Sequence, residues 1–135
     1  MITLITRDMH HVEANLARKV WAVLADVNGQ LPSPWRIVVF ETQRSSARQA
    51  KLYEEGVSRT LQSKHLLRGG LVHAVDVTFC HDKEGLTWKA PWVLWQGKRV
   101  NGWALVDSAK KAHGLRVIPW DKPHCEIKLV AGHYR

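Results

Sequence analysis

Two separated stretches of this chain carry the side chains that could do chemistry. The first, Ser63–Phe79, reads Ser-Lys-His-Leu-Leu-Arg-Gly-Gly-Leu-Val-His-Ala-Val-Asp-Val-Thr-Phe, and the second, Trp120–Glu126, reads Trp-Asp-Lys-Pro-His-Cys-Glu. Together they offer two imidazoles and a carboxylate for a metal, with a second carboxylate beside it. Catalytic zinc typically takes three protein ligands and keeps a fourth position for water, whereas structural zinc is closed by four ligands rich in Cys. His65, Asp76 and His124 suit the catalytic pattern. Asp121 is then the base that handles the water's proton.

Strand geometry separates these residues from their neighbours. Ala74–Phe79 is rich in β-branched residues and reads as a strand. Side chains alternate faces along a strand, so Asp76 shares a face with Ala74 and Thr78 and opposes His73. His73 is thus the poorer ligand, although it lies nearer to Asp76 in sequence. By the same parity His124 and Glu126 share a face if the chain is extended from His124 onward. Glu126 could then orient a ligand or bind a substrate group.

The ordered set Ser63-x-His65, Ala74-Val75-Asp76 and Asp121-x-x-His124-x-Glu126 resembles the zinc D-Ala-D-Ala carboxypeptidase and L-Ala-D-Glu endopeptidase family. Gln43-Arg44-Ser45-Ser46 and the helix that follows extend the resemblance over residues 36 to 128. It implies one Zn2+ per chain on His65, Asp76 and His124, with Asp121 as catalytic acid/base. It also moves Arg44 and Ser63 toward substrate binding and oxyanion stabilisation, since a guanidinium is a forked donor suited to a carboxylate or developing oxyanion. The implied reaction is hydrolysis of a peptide bond in the stem peptide of peptidoglycan, as in small phage endolysins. One departure stands out: Leu66–Val72 makes the segment between His65 and Asp76 longer than the family's. That insertion keeps His73 open as an alternative to His65, and its Gly-Gly pair is expected to bulge at the rim of the cleft.

The elements that must position these residues follow from pattern. Val12, Leu16, Val20, Val23 and Val27 recur at helical spacing, with Asp8 as N-cap and His10 and His11 in the first turn; Asn28-Gly29 closes the helix. Trp35–Thr42 reads as a strand that delivers Gln43 and Arg44 to its end, and a second helix runs from Ser45 or Ser46 to Gly56. Leu86–Val100, interrupted by Pro91, reads as irregular and as a cleft wall. Trp103, Val106, Ala109 and Ala112 mark a third helix, closed by His113-Gly114. Leu115–Pro119 and 125–130 are expected strands, residues 2–6 an edge strand or tethered tail, and 131–135 a tail. The sum is an α+β fold, a single catalytic domain over 1–135, with a small, mostly antiparallel sheet carrying the zinc site and packed against helices.

Composition limits the partners. A formal charge of +8 and a pI near 9.9 favour anionic partners. The cations are spread from Arg7 to Arg135 without a dense run, so an anionic envelope surface suits them as well as nucleic acid. A basic nucleic-acid-binding protein or metal-dependent nuclease is the alternative reading, though it gives no reason for the ordered Asp and His residues. No nucleic-acid partner is expected, and the protein is expected to be a monomer. No apolar run reaches membrane-spanning length. The N-terminus is too soon polar for a signal peptide, which places synthesis in a host cytoplasm and action on the wall after release by a holin or lysis. Cys80 and Cys125 are expected to be free thiols, Cys125 a small core residue. Most of the seven tryptophans are expected in the core, with one or two lining the cleft.

Overall fold

A computed structural model describes residues 5–128. Its helices are α1 (Ala14–Asn28), α2 (Ser46–Glu54) and α3 (Gly102–Ala112). Its strands are β1 (Trp35–Glu41), β2 (Val75–His81), β3 (Gly85–Thr87), β4 (Trp92–Trp95), β5 (Lys98–Asn101) and β6 (His124–Cys125). The mixed architecture with small antiparallel sheets agrees with the expected fold class.

β2 is the axis of the four-stranded sheet. β1 runs antiparallel along one edge, from Trp35 opposite His81 to Glu41 opposite Asp76. The other edge is shared: β3 pairs with Phe79–His81, and β6 sets Cys125 opposite Val75 and His124 opposite Asp76. Period-two alternation then assigns the two faces. Val75, Val77 and Phe79 enter the core with Leu16, Val20, Val23 and Val27 of α1 and Leu105 and Val106 of α3. Each such side chain contributes about 1.5–3 kcal/mol by leaving water. Asp76 stands on the opposite face, where carboxylates and cations gather. α2 adds little to the core, since its one buried residue is the polar Gln49.

One irregularity positions the site. The β1–β2 register slips between Val39 and Glu41, so Phe40 has no partner and Glu41 falls opposite Asp76. A bulge of this kind re-aims side chains and is common beside functional sites.

Several expectations are corrected by local hydrogen bonding. α1 begins at Ala14, not near Asp8: the Glu13 carboxylate accepts from Asn15 N at 2.9 Å and Leu16 N at 3.0 Å. His10 and His11 precede the helix, and Val12 leaves it to form a parallel bridge with Val72. Backbone bonds from Val72 N to His11 O (2.7 Å) and from Glu13 N to Val72 O (2.9 Å) hold that bridge. At the other end Gly29 keeps a helical φ of −64°, so no left-handed cap ends the helix. Asn28 does more there: its side chain accepts from Ile37 N at 2.7 Å and donates to Ile37 O at 3.0 Å, clamping α1 to β1.

The stretch Leu86–Val100 is not irregular. β4 and β5 form an antiparallel hairpin closed by Gln96-Gly97, with φ of 50° and 78°. Those positive values belong to the two-residue type I′ turn, whose twist matches the strands. Leu115–Pro119 forms only a bridge from Leu115 to Ile127. Of the last expected strand, β6 and Ile127 are seen, while 129–130, the 131–135 tail and residues 2–4 lie outside the described residues. The buried stripe of α3 is Leu105, Val106, Ala109 and Lys110, rotated from the expected one, with Ala112 exposed. The tryptophans depart furthest from expectation. Trp35, Trp95 and Trp103 pack partly buried against the core, and Trp21, Trp88, Trp92 and Trp120 are exposed.

Removing the Asn28 clamp leaves an N–H and a C=O of β1 without partners inside the chain. Asn28→Ala should therefore lower stability by about 1–3 kcal/mol. The check is urea denaturation, in which the midpoint should fall with the slope unchanged.

Candidate metal centre and cleft

Three elements bring the ligand candidates together. β2 supplies Asp76, β6 sets His124 directly opposite it, and the loop after α2 carries His65. His65 and Asp76 approach to 3.2 Å (Nε2 to Oδ1), and His124 Nδ1 lies 3.3 Å from the same oxygen. These three donor atoms lie within 4.8 Å of one another and could hold a metal ion. His73 does not join them; its backbone N–H donates to Lys64 O at 3.0 Å.

The outer bonds of each residue decide what faces inward. His65 Nδ1 lies 2.7 Å from Thr42 O, and a carbonyl can only accept, so Nδ1 carries the proton and Nε2 presents a lone pair. His124 Nε2 lies 2.9 Å from Glu126 Oε1, which assigns its proton to Nε2 and leaves Nδ1 bare. Asp76 Oδ2 accepts from Arg44 Nη2 at 3.1 Å, leaving Oδ1 for the interior. Three acceptor atoms thus converge, and His65 Nε2 and Asp76 Oδ1 are buried without any hydrogen bond among the described residues. Buried polar atoms are rarely left so, and each exception calls for a cause. A divalent cation supplies one: two imidazoles and a carboxylate are its usual N and O donors, and their outer partners are those that fix the orientation of metal ligands.

The charges agree. Burial alone would raise the Asp76 carboxyl, but the imidazoles of His65 and His124 outweigh it and hold the group far below the usual carboxylate range. Burial alone would lower His124; the carboxylates of Asp76 and Glu126 reverse this and raise it to about 9. Both shifts express the same preference, for positive charge beside the Asp76 and Glu126 carboxylates, which a bound cation would also satisfy. Burial would also raise Glu126, yet His124, Lys64 and Arg116 bring it well below its ordinary value.

Arg44 is the hub of the outer layer. Besides Asp76 it donates from Nε to Glu41 at 2.9 Å and from Nη1 to Gln49 at 3.1 Å. Arg48 closes on the same buried Glu41. Three of the five Arg44 N–H donors are thus engaged within the chain, and its first duty is to orient Asp76. Glu126 behaves likewise, with Oε1 on His124 and Oε2 accepting from Lys64 at 2.6 Å and Arg116 at 3.0 Å.

The centre opens into a cleft of about 680 Å³ bordered by Arg44, Ser63, Asp121 and Glu126 and by Trp88 and Trp120. Ser63 is buried, and its Oγ accepts from His65 N at 3.1 Å. Asp121 makes no ion pair among the described residues. Its carboxyl is raised above the ordinary value by partial burial and by the Asp76 charge. The inserted segment does not reach this rim. Arg68 and Leu71 bridge across Gly69-Gly70, both at positive φ, in a tight hairpin whose residues border no part of the cleft. Cys80 and Cys125 are free, and burial pushes the Cys125 thiol up to about 12, so it is a core residue.

Seven supporting residues were not anticipated: Thr42, Glu41, Gln49, Arg48, Lys64, Arg116 and Lys110. Lys110 had a signal, because its spacing from Val106 puts it on the buried stripe of α3. Fully buried, it donates from Nζ to Lys122 O at 2.7 Å and His124 O at 2.6 Å, anchoring the segment that carries Asp121 and His124. Lys110→Met removes the donor from both carbonyls, and hydrogen bonds to charged groups contribute about 1.5–3 kcal/mol each. The variant should lose at least about 2 kcal/mol in a denaturation titration, with faster amide exchange at 121–125.

No family model matches the chain, and neither does any curated protein. Among solved structures, the chain is similar to the crystal structure of the Serratia marcescens L-Ala D-Glu endopeptidase ChiX. The two share 26% sequence identity with a TM-score of 0.59 over 93% of this chain and 90% of that one. A likeness that spans nearly the whole of both chains gives this protein a peptidoglycan-peptidase fold.

Proposed function

We propose that this protein is a zinc-dependent peptidase that cuts a bond in the peptidoglycan stem peptide, the L-Ala–D-Glu bond being the first candidate. The observation that carries the reading is the convergence of His65 Nε2, Asp76 Oδ1 and His124 Nδ1, two of them buried and unpartnered, at the base of an open cleft. The likeness to an L-Ala D-Glu endopeptidase supports the choice of substrate.

His65, Asp76 and His124 would hold the zinc, which when bound supplies a Lewis acid that lowers the pKa of water from about 15.7 to about 7. The remaining work falls to the chain's own residues. Asp121, free of ion pairs among the described residues, takes the proton of the attacking water and returns it to the leaving amine. Arg44 orients Asp76, and Glu126 fixes the His124 tautomer. Ser63 holds the backbone of His65 at the cleft wall. Arg44 and Ser63 border the same cleft, and with Glu126 they are the proposed groups nearest the scissile peptide. We take the protein to act as a monomer at the wall after release from the cell.

Digestion of purified peptidoglycan followed by mass spectrometry of the fragments tests the function. New D-Glu amines are expected; free D-Ala would make the enzyme a carboxypeptidase instead. Cleavage of DNA with the wall left intact would overturn the reading.

The ligand set has its own test. Zinc-loaded protein should carry close to one zinc per chain, and chelation should abolish activity reversibly. His65→Ala should lose the metal and His73→Ala should keep it, as read by elemental analysis. The reverse pattern would make the inserted loop the source of the ligand.

Asp121→Asn should fold, retain zinc and lose at least about a hundredfold in wall hydrolysis, the lower end of a general acid–base contribution. Near-normal turnover of the zinc-loaded variant would remove Asp121 from the mechanism.

A further inference from the structure

Two of the exposed tryptophans, Trp88 and Trp120, border the cleft, and Trp21 stands on α1. Trp92 has no such place. On β4 the inward residues are Val93, which is buried, and Trp95, which packs against the core. Alternation therefore turns Trp92 and Leu94 outward, where they are 59% and 78% exposed. An outward strand face is ordinarily polar, so the apolar outer face of β4 departs from the usual pattern.

The cross-strand partners complete the face. Leu94 is opposite Arg99 and Trp92 is opposite Asn101. The Asn101 side chain is drawn aside to cap α3, accepting from Trp103 N at 3.0 Å. Arg99 instead lies over the Trp92 ring, 5.9 Å from its centroid. The outer face is thus Trp92, Leu94 and Arg99, with Lys98 exposed beside the turn. Between Glu84 and Asp107 the chain carries Lys89, Lys98 and Arg99 and no carboxylate.

We infer that this hairpin face docks onto an anionic phospholipid bilayer. An indole sits well at headgroup depth, and Arg and Lys can lay their stems along apolar surface while the charge reaches lipid phosphates. Leu94 at the crown decides between anionic partners, because it offers nothing to a nucleic-acid backbone but partitions into the acyl boundary. A second copy of the chain fits less well. A twofold contact would bring the two Arg99 guanidinium groups face to face, in a protein of charge +8. The inference does not depend on the peptidase reading, since none of these residues borders the cleft.

The test is co-sedimentation of the full chain with vesicles of phosphatidylglycerol and phosphatidylcholine, against pure phosphatidylcholine, over a range of salt. The wild type should partition onto the anionic vesicles and be released by salt. Trp92→Ser with Leu94→Ser leaves the charge unchanged and should lower partitioning by at least about tenfold, as expected when apolar contacts are removed. Arg99→Glu should weaken binding more than Arg18→Glu, which makes the same charge change on the exposed surface of α1. Thermal melts matched to wild type establish the fold; if the double variant fails there, Leu94→Ser alone carries the test. Wild-type partitioning by the serine variants overturns the inference. So do equal losses from the two charge reversals, which would mean diffuse attraction. A dimer seen by light scattering and lost in the serine variants, without lipid binding, would assign the face to a second copy.

Discussion

The largely buried carboxylate of Asp76 is the constraint on which this structure turns. A lone carboxylate on the central strand of a small sheet would cost several kcal/mol to desolvate, and it would protonate before it stayed charged. Here the two facing imidazoles keep it charged, and its two oxygens have different partners. Oδ2 meets the Arg44 guanidinium, while Oδ1 faces two imidazoles. The surroundings answer to that division. The β1 bulge brings Glu41 opposite Asp76, Glu41 engages Arg44 and Arg48, and Gln49 turns inward from α2 to take another Arg44 donor. β6 is two residues long, yet its register places His124 directly across from Asp76.

How much of this was legible in the sequence depended on the range of the interaction. Strand parity over Ala74–Phe79 set Asp76 on the face away from His73 and made His73 the poorer ligand, because side-chain alternation is a local property of an extended backbone. The pairing of His124 with Glu126 followed from the same rule. What parity could not reach were partners contributed by the backbone or by distant elements. That Thr42 O fixes the His65 tautomer depends on where β1 ends relative to a loop more than twenty residues away, and no side-chain pattern records a carbonyl. Arg44 was legible as a site residue but not in its duty toward Asp76, since a guanidinium reads the same whether it faces a substrate or its own chain. The hairpin has a local signature, Trp-Val-Leu-Trp and Lys-Arg-Val-Asn flanking Gln-Gly, but Pro91 directly before it and the bulky tryptophans give the same stretch an irregular pattern. The start of α1 failed for a related reason. Val12 keeps the helical spacing yet is claimed by Val72, so tertiary pairing overrode periodicity at the helix end.

The arrangement around the metal candidates has two layers of opposite sign, and their order matters. The inner layer is three lone pairs. The outer layer holds Arg44 and Arg48 on the Glu41 and Asp76 side and Lys64 and Arg116 on the Glu126 side, with Lys110 behind His124. So many cations beside a candidate metal site look self-defeating, because each repels a divalent ion. The contacts explain why they need not be: apart from Lys110, which binds backbone carbonyls, these cations sit on outer carboxylate oxygens. Each such pair favours the ionised carboxylate, and an ionised carboxylate is what a metal requires. Removing the outer cations would relieve some repulsion at the centre while letting Glu126, which Lys64 and Arg116 help hold ionised, drift back toward its neutral form. Glu126 in its neutral form would accept less strongly from His124 Nε2, and the imidazole would lose the bond that turns its bare nitrogen inward. The basic surroundings of this acidic centre are therefore part of what makes it a ligand set and not a buried hydrogen-bonded cluster.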